Sequence, residues 1–212
     1  RGFFVAACYY SAGAAHIVEA GTAVGWGVFT SPVSVPPRCA PARAKETGSH
    51  YPDTDRKSTH THTHTLAIKL SEELSNAPIV HMDDLYNGWS NPFSDELVER
   101  VTKQILKPYL ISNLASYQKY NWVNKTFSEI VDISHPKYLI LEGVGSGQSG
   151  FRSYIQKLIW IDLDPAIGYQ RVIKRDGEDI KESMKKFLID QEKHFRRELT
   201  NNHADYIIKG AP

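Results

Sequence analysis

Cysteine is almost missing from this chain. Cys8 and Cys39 are the two present in 212 residues, so the larger part of the sequence cannot be held by disulfides or by thiolate zinc sites. That usage fits a reducing compartment, and a cytoplasmic location is expected. An excess of either charge is missing too. With 25 Lys and Arg against 24 Asp and Glu, the net charge is +1, which gives no electrostatic case for a nucleic-acid or membrane partner. Long apolar runs are also absent. His16 and Glu19 interrupt the one stretch that approaches a membrane span of about 18 residues. Phe3–Ala15, apolar after Arg1 and ending in small residues, loosely resembles a signal peptide. The chain beyond it does not have the cysteines of a small secreted scaffold.

What is present suits one sizeable α/β domain, or one domain with an appendage; hydrophobic residues make up 41% and charged residues 23%. Residues 1–65 and 66–212 differ in texture. The first part is rich in Gly, Ala, Ser, Thr and Pro and has no sustained period. Pro32, Pro36, Pro37 and Pro41 make 30–43 a connector, and the alternation Val24–Phe29 allows a hairpin within 2–29. An irregular N-terminal extension is therefore expected over 1–65. It closes in the two-residue repeat Ser58-Thr59-His60-Thr61-His62-Thr63-His64-Thr65. Three histidines on one strand face could bind zinc, but no carboxylate or cysteine stands beside them in sequence, and a low-complexity spacer is the simpler reading. Alternating CA dinucleotides in the gene would encode the same run. Slippage in such a tract would displace the native N-terminus.

From Leu66 the pattern becomes regular. Leu66, Leu70 and Leu74 predict a helix over 64–76, and Ile79–Met82 a strand. Ser94 with Asp95 and Glu96 opens a helix whose buried face is Leu97, Val98, Val101, Ile105 and Leu106, until Pro108 kinks or stops it. Residues 116–122 and 126–133 read as a hairpin. Tyr138–Leu141 and Leu158–Ile161 read as strands buried on both faces. Asp164 and Pro165 start a helix that Gly177 ends; a long amphipathic helix follows over 178–199, burying Ile180, Met184, Phe187, Leu188, Phe195 and Leu199, and a last strand over 204–208. Helices alternating with apolar strands imply a mainly parallel sheet flanked by helices on both faces.

Acid collects where such strands end. Asp83 and Asp84 follow the first strand and Glu142 ends the 138–141 run. In open α/β sheets ligands lie beyond the carboxyl ends of the strands, so one carboxylate could take a proton from a substrate hydroxyl and another could hold magnesium. Arg171 and Arg175, four apart on one helix, could clamp phosphate oxygens. Tyr86, Trp89, Tyr120 and Trp122 could stack on a planar base or pack internally. Gly145, Gly147 and Gly150 match the spacing of a dinucleotide loop, but too little chain separates Gly150 from Leu158 for the helix that motif needs. A flexible loop over the active edge is expected instead. Lys57-Ser58-Thr59 ends like a phosphate loop, yet the preceding Tyr51–Arg56 holds no glycine and no apolar strand.

Taken in order, V-H-M-D-D-L-Y (80–86) with N-G-W (87–89), Y-N-W (120–122), L-I-L-E-G-V-G-S-G (139–147), R-V-I-K-R-D-G (171–177) and A-D-Y-I-I (204–208) resemble a P-loop kinase of the uridine kinase-like, nucleoside/nucleotide kinase type. The resemblance covers residues 66–210 and implies a three-layer P-loop kinase sandwich. It further implies ATP and Mg2+ as cofactors and a nucleoside-like small molecule as acceptor, with no nucleic-acid or membrane partner and the oligomeric state open. Asp83 matches the base that activates the acceptor hydroxyl, and Glu142 the glutamate near the magnesium. Arg171 and Arg175 match lid arginines, and Tyr120 an acceptor-site aromatic. Asp84, Tyr86 and Trp122 join Tyr120 as candidate substrate residues. Asn121 stands where related enzymes often carry Asp, and Lys125 where uridine kinases carry a histidine. Lys57, Ser58 and Thr59 would be the remnant of the phosphate loop, with Ser58 toward the metal; alternatively Thr65-Leu66 is its surviving join. Both readings remove the first, central strand and imply poor ATP binding. A non-catalytic remnant that binds a ligand or a partner is the second expectation.

Overall fold

The computed structural model describes residues 3–10 and 62–210. Seven strands form among them: β1 (Phe3–Tyr10), β2 (Ile79–His81), β3 (Leu114–Asn121), β4 (Thr126–Ser134), β5 (Tyr138–Glu142), β6 (Lys157–Asp162) and β7 (Tyr206–Lys209). Five of them make one parallel sheet in the order β2-β5-β1-β6-β7. The central strand is therefore not lost. Phe3–Tyr10 fills its position, with Val5 opposite both Ile140 and Lys157, and it belongs to the same compact unit as 62–210. This corrects the expectation of a missing first strand. The alternating stretch at 24–29, the connector at 30–43 and Lys57, Ser58 and Thr59 lie outside the described residues.

Period-two alternation sorts β5 between two layers. Ile140 turns to one face, where Ala67 and Leu70 of helix α1 (His62–Glu73), and Leu74 just beyond it, cover it. Leu139 and Leu141 turn to the other, into a larger core with Val80 and Met82. All three β5 side chains are buried to within 1%, and burial of each is worth roughly 1.5–3 kcal/mol. Helices thus lie on both faces of a parallel sheet.

The larger core is covered by α2 (Asp95–Val101), which runs through a π-helical turn (Thr102–Leu106) into α3 (Lys107–Ser112). Pro108 neither stops nor breaks this helix. Its ring would strike the carbonyl four residues back and its nitrogen donates nothing, and the wider π turn just before it takes up that mismatch. The helix ends at Asn113 in the left-handed region (φ 56). A short α4 (Ser149–Arg152) follows β5. Helix α5 (Pro165–Asp176) starts where Asp164 accepts the Ala166 amide at 2.8 Å and stops at Gly177, φ 95. Helix α6 (Lys181–Glu198) follows a 3-10 turn and buries Met184, Phe187 and Phe195. Leu199, expected inside, is 49% exposed, because it adopts the left-handed conformation (φ 50) that terminates α6.

The β3–β4 hairpin forms as the sequence predicts, outside the main sheet. Asn121 turns the chain there: its Oδ1 accepts the amides of Val123 and Asn124 at 3.0 and 2.9 Å. The register slips between Lys119 and Tyr120, and the in-out alternation of β3 breaks there, with Lys119 half-buried and Tyr120 buried beside it.

Candidate active site

Strands β2 and β5 are neighbours, and their last residues, His81 and Glu142, face each other in register. His81 Nδ1 and Glu142 Oε2 are 2.7 Å apart. Beyond β2 the chain tightens into a 3-10 turn, Met82–Asp84, which sends successive side chains in different directions. Asp83 is exposed, whereas Asp84 is 5% exposed. Gly143, directly after Glu142, makes this close approach possible. Its φ is +119, and a Cβ there would lie 3.1 Å from the Met82 Cβ.

The hairpin ties itself to that acidic turn twice. Lys119 Nζ lies 3.3 Å from Asp84 Oδ2, and Trp122 Nε1 donates to the Asp83 carbonyl at 3.1 Å. Arg100, from α2, donates to the Leu85 carbonyl at 2.7 Å. The turn is held on two sides.

Charge is concentrated at this edge. Desolvation among the surrounding protein atoms, then the Glu142 and Asp84 carboxylates, push Asp83 up to about 6; Arg175 and His81 pull the other way. For His81 burial alone would lower the pKa. The hydrogen bond to Glu142 and the charges of Glu142, Asp84 and Asp83 outweigh it, and the imidazole titrates above its ordinary value. Arg175, in the last turn of α5, is raised by its hydrogen bonds to Asp176, while burial opposes; Asp83 and Glu142 add to the rise. Asp83, Glu142 and Arg175 are thus within electrostatic reach of one another. The Arg175 fork is at present occupied by Asp176, through Nε and a terminal nitrogen, each at 2.6 Å. Arg171 lies one turn earlier on α5, half-buried.

The aromatic candidates divide. Tyr86 is 1% exposed, donates its hydroxyl to the Val144 carbonyl at 2.6 Å and packs edge-on against Phe93 and Phe187. It is a core residue and cannot stack on a substrate, which corrects the expectation for it. Tyr120 is 6% exposed, edge-on to Trp122 and Phe127 at 5.2 and 5.1 Å, and Gly88 leaves room for its hydroxyl. Trp122 is half-buried against Trp89 at 5.1 Å. Asp84, paired with Lys119, anchors the hairpin from a buried position.

The run after β5 is also not the flexible loop expected over the edge. Ser146 and Gln148 are 0% and 2% exposed, and the turn is closed by the Ser146 amide donating to Gly143 and the Gln148 amide to Gly145. Its burial follows from anchors 46 to 49 positions away, which no local pattern reveals: Glu198 Oε2 accepts the Ser149 amide at 2.6 Å, and Arg152 donates to the Glu198 carbonyl and, at 3.0 Å, to Gly147. Helix α4 has four residues, too short to serve a dinucleotide loop.

Sequence reasoning passed over His81 and weighed His64 only within the Thr-His tract. His81 stands one position before the acidic turn, but its pairing with Glu142 depends on strand order. The Thr-His tract enters a helix, not a strand, since α1 begins at His62. A helix from His62 on does not keep the single-face strand spacing, and it brings His64 to His81, with ring centroids 5.1 Å apart.

The order of the parallel strands, the flanking helices and the acidic carboxyl edge define a P-loop kinase-like α/β fold. A solved structure described as a possible uridine kinase from Bacillus stearothermophilus has the same fold. It aligns at 21% identity with a TM-score of 0.50, over 69% of this chain and 81% of its own. No protein-family model and no curated protein matches the chain. No helix among the described residues is long and apolar enough to cross a membrane.

Proposed function

We propose that this chain is a uridine kinase-like phosphotransferase, which moves the γ-phosphoryl group of ATP to a hydroxyl of a nucleoside-like small molecule. One observation supports the reading: Asp83 and Glu142, at the carboxyl edge of the parallel sheet, lie within electrostatic reach of each other and of Arg175. Asp83 accepts the acceptor's proton as the acceptor oxygen bonds to the γ-phosphorus. The bond from that phosphorus to the bridging oxygen breaks, and ADP leaves with the electron pair. A carboxylate raised to about 6 is a better base than an ordinary aspartate and is still ionised at neutral pH. Arg175 turns from Asp176 to the phosphate oxygens, with Arg171 on the same helix, and Lys57–Thr59 is the phosphate-binding candidate. Tyr120 and Trp122 wall the acceptor side. Magnesium, which would neutralise phosphate charge, would be held by Glu142 with Ser58 as the candidate hydroxyl ligand; the imidazoles beside Glu142 are not donors it selects.

Transfer of labelled γ-phosphate from ATP to a panel of nucleosides tests the reading. The native chain is expected to label at least one acceptor, and Asp83→Asn to lower the rate by about 10²–10⁴-fold. Unchanged transfer in Asp83→Asn removes the assigned base. No transfer to any nucleoside, with no thermal shift by ATP, overturns the phosphotransferase reading.

A further inference from the structure

Three side chains from three elements bring metal-binding atoms together at the tip of the sheet. His64 comes from the first turn of α1, His81 from the end of β2 and Glu142 from the end of β5. One donor atom from each lies within 4.8 Å of the other two. Phosphoryl transfer as derived above uses Glu142 but neither imidazole. We propose that His64, His81 and Glu142 form a binding site for a divalent cation of the zinc class.

The donor chemistry selects the ion. Two imidazoles and a carboxylate are the protein ligands of many three-ligand zinc sites, which leave a further position for water or a substrate atom. Magnesium prefers oxygen donors and keeps its own waters, and imidazole suits zinc, copper, nickel and iron. The geometry needs small adjustments only. Zinc bonds of about 2.0–2.1 Å put tetrahedral ligand atoms about 3.4 Å apart. The His81–Glu142 pair, at 2.7 Å, opens by about 0.7 Å, and the longest separation, at most 4.8 Å, closes by rotation of the half-buried histidine side chains. His64 and His81 are both half-buried and Glu142 is 7% exposed, so the pocket is partly desolvated and still open to an entering ion.

The Thr-His tract is not itself the chelator in this account. Positions two apart on a helix are separated by roughly 200°, so the helical end of the tract cannot offer consecutive histidines to one ion. The site exists because the fold brings the sheet edge to His64. It is independent of phosphotransferase activity, although the two would share Glu142.

The test is metal binding by the full chain, stripped by chelator and titrated with Zn2+ by calorimetry and with Co2+ by visible absorption. One Zn2+ per chain is expected at this site, with Co2+ giving the visible bands of a low-coordinate nitrogen–oxygen site. His64→Ala and His81→Ala should each weaken Zn2+ binding by at least about tenfold, and His60→Ala with His62→Ala should leave it unchanged. His64 lies on a helix rather than within the sheet, so His64→Ala keeps the fold, and far-UV circular dichroism checks this. Zn2+ affinity unchanged in His64→Ala, affinity lost in the His60/His62 control, or absence of cobalt bands in the native chain would each overturn the site. Each of these results leaves the phosphotransfer experiment to be decided on its own readout.

Discussion

Replacing Glu198 by glutamine asks whether one carboxylate holds the turn after β5 to the last long helix. Glu198 is 9% exposed. Its Oε2 accepts the Ser149 amide at 2.6 Å, and its Oε1 accepts Arg197 Nε at 3.0 Å. Burial alone would raise its pKa; the Ser149 amide and hydroxyl, Arg197 and the His194 charge outweigh it and hold it at about 2, against an ordinary 4.5. Each tenfold change in proton affinity is worth about 1.4 kcal/mol, so the ionised form favours the fold by roughly 3 kcal/mol at most. Glutamine keeps an acceptor for Ser149, and the expected loss at neutral pH is therefore roughly 2 kcal/mol. The folded pKa lies below the unfolded one, so this contribution is complete above about pH 4.5 and disappears as pH falls toward about 2. Urea unfolding of the native chain and Glu198→Gln, repeated from neutral to acid pH, reads the difference directly. The stability gap should narrow below about pH 4.5. A gap that stays constant across that range, or one below about 0.5 kcal/mol at neutral pH, would refute the electrostatic account of this anchor.

Other substitutions report on other parts of the structure. His194 is 1% exposed and stacked on Phe93 at 4.4 Å; burial, aided by Arg197 and Arg152 and opposed by Glu198, lowers it to about 4. The folded chain resists its protonation, so stability should fall as pH drops from about 6.5 to about 4, and His194→Leu should flatten that part of the urea-midpoint profile. Gly143→Ala should cost roughly 1–3 kcal/mol in denaturant unfolding, because φ +119 and the Met82 Cβ at 3.1 Å leave no relaxed place for a methyl group. If Asp83 is the base, kcat/KM should rise with pH through about 6 and then level. Arg175→Gln, which removes a cation that lowers Asp83, should move that limb to higher pH.

The sheet and its helices were legible because their signals are local. Leu139, Ile140 and Leu141 are an apolar run of strand length, and Asp164-Pro165 and Gly177 mark the two ends of α5. The β3–β4 pair reads from its two extended segments, 116–122 and 126–133. Phe3–Tyr10 was not legible as the central strand, since the phosphate loop that would label it does not follow it in sequence. Its identity comes from long-range pairing with β5 and β6. Pro108 misleads for a related reason: the rule for proline assumes a regular helix, and the π turn before it changes the geometry. At the site, Asp83, Glu142 and Arg175 follow from strand ends and helix period. Tyr86 fails because burial cannot be read from residue type, and the Lys119–Asp84 link depends on how the hairpin docks. His64 fails because the two-residue repeat suggests a strand, where the chain is already helical.

If the proposed reaction holds, the double attachment of the hairpin to the acidic turn makes acceptor recognition and base placement mechanically inseparable. Lys119 grips a side chain and Trp122 a main-chain oxygen of two consecutive residues. Tilting the β3–β4 arm to admit a bulkier guest must either drag the Asp83 carboxylate along or snap a link. Altering guest preference by remodelling that arm should therefore change turnover as well as affinity, even where the new residues never meet the guest.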